Sequence, residues 1–310
     1  MTSLYYSNIT LESAEDESDF SSILNIIVTI ISIVGCLSNM TITMFLKISK
    51  TGIGKMVIAL SLMDLIFSVC SLFITFKANS MIFCNLMSFI LCFGWIGSLF
   101  WTCCFAHSLF MSMKFGEGDF VINHYFGAYV KTSTVLTIIA SLLSAALGYF
   151  SVNASGGCYH KFVKGEVDIS GIFIFLLPLV ASILFCGVCY IKVISKLKEV
   201  KAKSYNELLL YPLILIVANV PSIIFEIAVK IGGDMAVPPF CWVIAAALLR
   251  SQGMLNGLAY GLSRRIMEGL KDKCCQKKSS KNKKTGLLRE RDLDSSSDAR
   301  MSHLPPSYVI

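Results

Sequence analysis

The residues able to do chemistry in this chain are few and scattered. Its four histidines, His107, His124, His160 and His303, show no shared spacing. No carboxylate cluster or nucleophile motif stands beside them, so an enzyme is not expected. Twelve cysteines include the adjacent pairs Cys103-Cys104 and Cys274-Cys275, and no cysteine–histidine cluster has metal-ligand spacing. Neither a metal nor a cofactor is expected. What remains is a set of polar side chains set in apolar surroundings: Asn39, Asp64, His107, Glu226, Arg250, Gln252 and Asn256. In hydrocarbon such groups are costly, and they are retained where they pair, line a pathway or meet a ligand.

Asp64 sits in Leu60-Ser-Leu-Met-Asp64-Leu65 and cannot face lipid cheaply. With Asn39 and Asn256 it makes a polar centre for the bundle, an inward carboxylate hydrogen-bonded by two amides. That centre serves either as a switch or as a purely structural cluster. Arg250 needs an acidic partner or an anionic ligand. Glu226 is the obvious acid, yet it lies nearer the end of its helix, at a different depth given about 1.5 Å of rise per residue. His107 and Gln252 are candidates for the same cavity, although His107 alone reads better as a satisfied interior histidine than as a ligand contact.

These residues are positioned by apolar helices. Hydrophobic residues make up 55% of the chain and charged ones only 15%, where a soluble domain carries roughly 25% charged residues. Apolar runs at 22–46, 55–76, 84–112, 131–151, 169–194, 207–229 and 238–262 each reach membrane-spanning length. The expected fold is therefore an all-α membrane protein, a bundle of seven transmembrane helices over residues 22–262. An acidic extracellular segment, 1–21, precedes it, with no cleavable leader. A juxtamembrane amphipathic helix, 263–275, and a disordered basic and serine-rich tail, 276–310, follow. Pro178, Pro212 and Pro221 are expected to interrupt the fifth and sixth helices.

Orientation follows from the connections. Lys47, Lys50, Lys55, Lys114, Lys131, Lys192, Lys196, Lys198, Lys201 and Lys203 gather on one side, with Arg264 and Arg265 after the last span. The other side has Lys77, Lys161, Lys164 and Lys230. The basic side is cytoplasmic by the positive-inside rule, which puts the amino terminus outside and the carboxyl terminus inside. This segregation also explains the net charge of +7 without nucleic acid. The sequons at Asn8 and Asn153 then face outward as glycosylation candidates. Cys84 and Cys158 share that oxidising side and suit a disulfide, with Cys241 as the competing partner and two free thiols as the alternative.

After the last span, Arg264-Arg-Ile-Met-Glu-Gly-Leu-Lys-Asp-Lys273 places Ile266, Met267 and Leu270 on one helical face, suited to lie on membrane lipid. Cys274 and Cys275 follow at membrane level as palmitoylation candidates. The end of the chain reads Leu-Pro305-Pro306-Ser-Tyr308-Val-Ile310. Pro305, Pro306 and Tyr308 fit a PPxY ligand for WW domains, and the free end fits a PDZ groove.

The chain resembles G-protein-coupled receptors of the cyclic-AMP-receptor-like group, with a more distant likeness to secretin-like receptors, over about residues 20–275. The resemblance is carried by Leu60–Leu65, Phe100-Trp101, Leu209-Leu-Tyr-Pro-Leu-Ile214 and, most closely, Ser251-Gln-Gly-Met-Leu-Asn256-Gly-Leu-Ala-Tyr260-Gly261. The Cys84–Cys158 pair also matches a bridge shared widely among such receptors. The rhodopsin-like signatures are not present, since Asn256-Gly-Leu-Ala-Tyr260 stands in place of Asn-Pro-x-x-Tyr. The resemblance implies a plasma-membrane receptor that passes an extracellular ligand's signal to a heterotrimeric G protein. Trp101, His107, Glu226, Arg250 and Gln252 are then the candidates for its ligand pocket.

Two other classes remain as alternatives. A transporter or channel commonly carries internal repeats, and the chain shows no matching halves. A seven-helix adaptor would act through the tail motifs. A retinal-binding pump is not expected, because the seventh span has no lysine.

Overall fold

The computed structural model describes residues 14–75, 80–115, 118–146, 150–152, 158–160, 176–200, 210–232 and 238–261. Its helices are α1 (Ala14–Phe45), α2 (Gly52–Thr75), α3 (Met81–Phe115), α4 (Gly118–Ala146), α5 (Leu177–Val200), α6 (Leu210–Gly232), α7 (Pro239–Arg250) and α8 (Gln252–Gly261). Strands β1 (Phe150–Val152) and β2 (Cys158–His160) form an antiparallel ribbon between α4 and α5, pairing Val152 with Cys158. Stretches within α1 to α5 are long and apolar enough to cross a membrane: Ser22–Phe45, Gly52–Ile74, Met81–Phe115, Val121–Ala146 and Leu177–Lys196. Shorter apolar stretches, Leu213–Phe225 and Phe240–Arg250, lie in α6 and α7.

The distribution of side chains is that of a multi-pass membrane protein. On α1, Asn25, Thr29, Ser32, Cys36, Asn39 and Thr43 are buried, a stripe recurring every three or four residues along one helix face. The opposite face exposes Ile23, Ile27, Ile30, Val34 and Leu37. Helix α4 repeats the pattern, with Ser133, Thr137, Ser141 and Ser144 inside and Val135, Ile139 and Leu142 outside. In water this arrangement would be inside out. In lipid the tails solvate the apolar face, and small polar residues let helices approach and hydrogen-bond.

Helix α3 is the central pillar, packed by α2, α4 and α5 and touched by β1 and α6. Two glycine contacts set the closest approaches. A Cβ on Gly94 of α3 would lie 2.6 Å from the backbone nitrogen of Phe67 on α2. A Cβ on Gly35 of α1 would lie 2.9 Å from the Cα of Met254, and Gly257 of α8 is seated against the Gly35 backbone. The spacing Gly253-x-x-x-Gly257 is the small-residue pattern expected where helices meet backbone to backbone.

The turn between α1 and α2 is built by Lys47, whose φ of 58° is left-handed, and by a 3-10 turn over Ile48–Lys50. Thr51 then caps α2 through Oγ1, which accepts from the Gly54 N–H at 3.1 Å.

The fourth span differs from the sequence expectation. The helix starts at 118, not 131, and ends at 146, so Lys131 lies within α4 and not in the connection before it. Asn123, His124 and Tyr125 break the apolar run without breaking the helix. The 29 residues of α4 are about 43 Å long, more than the roughly 30 Å hydrocarbon layer, so the polar start has room to stand outside it. Of the three prolines, only Pro221 is interior to a helix. Pro178 and Pro212 fall in the first turns of α5 and α6, where the missing N–H costs no helical bond. The seventh span is also not continuous, because Ser251 separates α7 from α8 with φ −78° and ψ −3°.

Candidate functional site

Asp64 is buried on α2 at 2% exposure, and its two carboxylate oxygens each accept one hydrogen bond. Ser98 Oγ of α3 donates to one at 2.6 Å, and Asn256 Nδ2 of α8 donates to the other at 2.7 Å. Ser98 Oγ in turn accepts from Gln252 Nε2 at 2.8 Å. Gln252 Oε1 accepts from Asn219 Nδ2 of α6 at 3.2 Å, and Asn219 Oδ1 accepts from Trp95 Nε1 of α3 at 3.1 Å. The other Asn219 amide hydrogen goes to its own helix, at Leu215 O, 2.9 Å away.

From Trp95 to Asp64 every donor points the same way. An indole only donates and a carboxylate only accepts, so the two ends fix the orientation of each amide between them. Such a one-directional chain polarises along its length, each bond strengthening the next in a low dielectric. It ties α2, α3, α6 and α8 together at one level of the bundle. Helix α6 packs mainly on α7 and α8 and touches α3 lightly, so Asn219 carries its polar attachment to both.

Asn39 does not reach the carboxylate. Its Nδ2 donates to Ser61 Oγ at 2.8 Å, three residues before Asp64, and its Oδ1 has no partner among the described residues. A second link between α1 and α2, Ser32 Oγ to Ser68 Oγ at 3.1 Å, lies beyond Asp64 on the other side.

His107 and Gln252 do not share a cavity. Gln252 is held at Ser98, and His107 lies nine residues further along α3, about 13 Å away along the axis. There His107 Nδ1 shares a proton with Tyr129 Oη of α4 at 2.8 Å, with Tyr125 and Phe185 ringing it at 6.4 Å between centroids. Trp101 is likewise turned to α4, its ring 5.9 Å from that of Phe126, and Phe126 lies under Lys55 Nζ. Both residues therefore belong to the α3–α4 seam and stand apart from the polar chain.

Arg250 ends α7, one residue before the break. It falls on the helical stripe of Trp242 and Ala246, four residues apart in turn. Trp242 packs edge-on against Phe225 of α6 at 6.0 Å, so this stripe faces α6. Arg250 forms no ion pair, hydrogen bond or ring contact among the described residues.

Cys84, at the start of α3, is disulfide-bonded and buried. Cys241 is a free thiol and so is not its partner. Within the apolar run of α5, Cys186-Gly-Val-Cys189 does have Cys-x-x-Cys spacing. Its thiols pack with Ala106, Leu109 and Val193 as small apolar groups, Cys186 Sγ being 3.9 Å from Cys103 Sγ. Among the described residues no group of three or more His, Cys, Asp or Glu is arranged to hold a metal ion. Asn8, Asn153, the side chains of Cys158 and Glu226, the 263–275 segment with Cys274 and Cys275, and the tail with Pro305, Pro306 and Tyr308 lie outside the described residues. Neither a protein-family model nor a curated protein matches the chain.

Proposed function

We propose that this protein is a seven-span receptor of the plasma membrane, coupling an extracellular ligand to a heterotrimeric G protein. The observation that carries the reading is the hydrogen-bond chain Trp95–Asn219–Gln252–Ser98–Asp64–Asn256. It links four helices in the middle of the bundle, and one of them, α6, is otherwise loosely attached to α3. A ligand that binds one arrangement of such a bundle better than another shifts its population. Release of Asn219 frees α6 from α3 and α8 together.

Length supports seven spans. Helix α6 has 23 residues, and α7 and α8 run on from 239 to 261 with a single intervening residue. Each stretch is about 34 Å long, enough for the roughly 30 Å hydrocarbon layer. Lysines support the orientation: Lys47, Lys50 and Lys55 lie at the α1–α2 turn and Lys114 at the end of α3. Lys192 stacks on Phe110 near that end. This basic end is the cytoplasmic one. The amino terminus is then outside, with Asn8 and Asn153 open to glycosylation. Cys158 is the disulfide partner assigned to Cys84, because its strand pairs with β1 and β1 packs on α3. Palmitoylated Cys274 and Cys275 tether the inner end to lipid, and Pro305, Pro306 and Tyr308 recruit a WW-domain protein.

The test is guanine-nucleotide exchange. Purified protein in lipid nanodiscs is mixed with each class of purified heterotrimer, and GTPγS binding is followed. Acceleration over empty nanodiscs for at least one class supports the reading. No acceleration for any class, from wild type and from Asn219→Ala, removes it.

A further inference from the structure

The polar chain from Trp95 to Asn256 has no member on α1, where Asn39 stops at Ser61 Oγ, 2.8 Å away. Yet α8, which supplies both Gln252 and Asn256, packs chiefly on α1 and more lightly on α2 and α6. On α8 the amides Gln252 and Asn256 form one ridge, and Gly253 and Gly257 form the next, about 100° round the helix. The glycine ridge is what meets α1. A Cβ on Gly253 would lie 2.5 Å from Cys36 Sγ, 2.6 Å from Ser32 Oγ and 3.4 Å from Asp64 Cβ. One turn on, a Cβ on Gly257 would lie 3.0 Å from Gly35 O.

These distances decide what a side chain at 253 would do. Ordinary contact between heavy atoms is about 3.5–4.0 Å, so a methyl group there is relieved only by a shift of about 1 Å. Ser32 Oγ does not step aside freely, because it is bonded to Ser68 Oγ at 3.1 Å and is fully buried. Cys36 is buried as tightly, at 1% exposure. The shift therefore falls on α8, which moves off α1. Asn256 Nδ2 stands 2.7 Å from the Asp64 carboxylate, and Gln252 Nε2 stands 2.8 Å from Ser98 Oγ. Such bonds extend to about 3.2 Å, so a displacement of about 1 Å exceeds the margin of both.

We propose that Gly253 is the positioning residue of the polar chain, and that α1 acts on the chain through it. With no side chain at 253, α8 settles into the notch between Ser32, Cys36 and Asp64, and its two amides reach Ser98 and the carboxylate. A displacement of α1 against α2 is passed through this contact to Gln252 and Asn256, although α1 bonds to neither. The inference rests on the receptor reading in one respect only, that the chain so positioned holds the resting state.

The test is a double-mutant cycle on the full chain in phosphatidylcholine nanodiscs, read by the unfolding midpoint and by basal GTPγS exchange. Alanine is a better helix former than glycine, so a lower midpoint for Gly253→Ala reports lost fit. Asn256→Ala should lower the midpoint of wild type, and that of Gly253→Ala by less than half as much, because the bond it deletes is already gone. Additive losses would mean a clash that leaves the chain intact, and would overturn the proposal. A second arm removes the two atoms that the new methyl meets. In Ser32→Ala/Cys36→Ala protein the nearest remaining atom is Asp64 Cβ at 3.4 Å. Adding Gly253→Ala there should leave the midpoint unchanged, and Asn256→Ala should again cost its full amount. A loss in that background as large as in wild type overturns the proposal, as does a wild-type midpoint for Gly253→Ala alone. If Gly253→Ala alone does not fold, the triple variant decides: it folds with Asn256 contributing in full, or the proposal falls. Basal exchange should rise several-fold in folded Gly253→Ala and return to the background level in the triple variant. Loss of the Asn256 contribution with unchanged exchange would keep the positioning role and remove the receptor reading alone.

Discussion

Replacing Asn219 by alanine should switch the protein on in the absence of ligand. The substitution deletes the acceptor of the Trp95 indole at 3.1 Å and the donor to Gln252 at 3.2 Å, and the site is 1% exposed, so water does not substitute freely. Hydrogen bonds between membrane helices average about 0.6 kcal/mol and reach about 1.7, so losing two weakens the attachment of α6 by about 1.2 to 3.4 kcal/mol. At about 1.4 kcal/mol per factor of ten, the ratio of closed to open bundle falls roughly 10- to 300-fold. Basal GTPγS exchange, normalised to protein in nanodiscs, should rise by at least several-fold. Trp95→Phe removes one of the same two bonds, so the effect of the double variant should be less than the sum of the two single effects. Basal exchange equal to wild type in folded Asn219→Ala protein, or strictly additive singles, would refute the reasoning that this chain holds α6.

Further predictions follow from individual contacts. Gly94→Ala puts a Cβ 2.6 Å from the Phe67 backbone nitrogen and should cost about 1–3 kcal/mol of stability by overpacking. Gly127→Ala, with nothing within 4 Å of its Cβ, should not lower the melting temperature and serves as the control. Cys84→Ser should lose about 2–4 kcal/mol, with reductant bringing wild type down to the same melting temperature and leaving the variant unchanged. Tyr129→Phe breaks the 2.8 Å bond to His107 at the α3–α4 seam, away from the polar chain. It should change stability by about 1 kcal/mol or less and leave nucleotide exchange as in wild type.

The helices were legible in the sequence wherever the apolar run was unbroken. Helices α1, α2 and α3 fall within a few residues of their expected ends once the polar start of α1 is set aside. Helix α4 was displaced because Asn123-His-Tyr125 and Lys131 interrupt its hydropathy without breaking the helix, and the β1–β2 ribbon is too short for a periodic signal. The Asp64–Asn256 pair was legible because an acid and an amide in apolar helices must find partners. By the same criterion Asn219, inside Leu213-Ile-Leu-Ile-Val-Ala-Asn219-Val, could have been found. Ser98 carries no such mark, since serines recur along α3 and only packing selects the one that meets the carboxylate. The angular register between helices also decided that Asn39 meets Ser61, one turn short of Asp64, and that Trp101 and His107 turn toward α4.

The central claim, that this bundle opens at α6 to engage a G protein, is tested most directly by trapping the nucleotide-free complex. Purified Asn219→Ala and wild-type protein in nanodiscs are mixed with purified heterotrimers and apyrase, then separated by size-exclusion chromatography. A complex that elutes intact, is more abundant for Asn219→Ala than for wild type, and dissociates on adding GTPγS is the predicted result. No complex with any class of heterotrimer, or one indifferent to GTPγS, would contradict it.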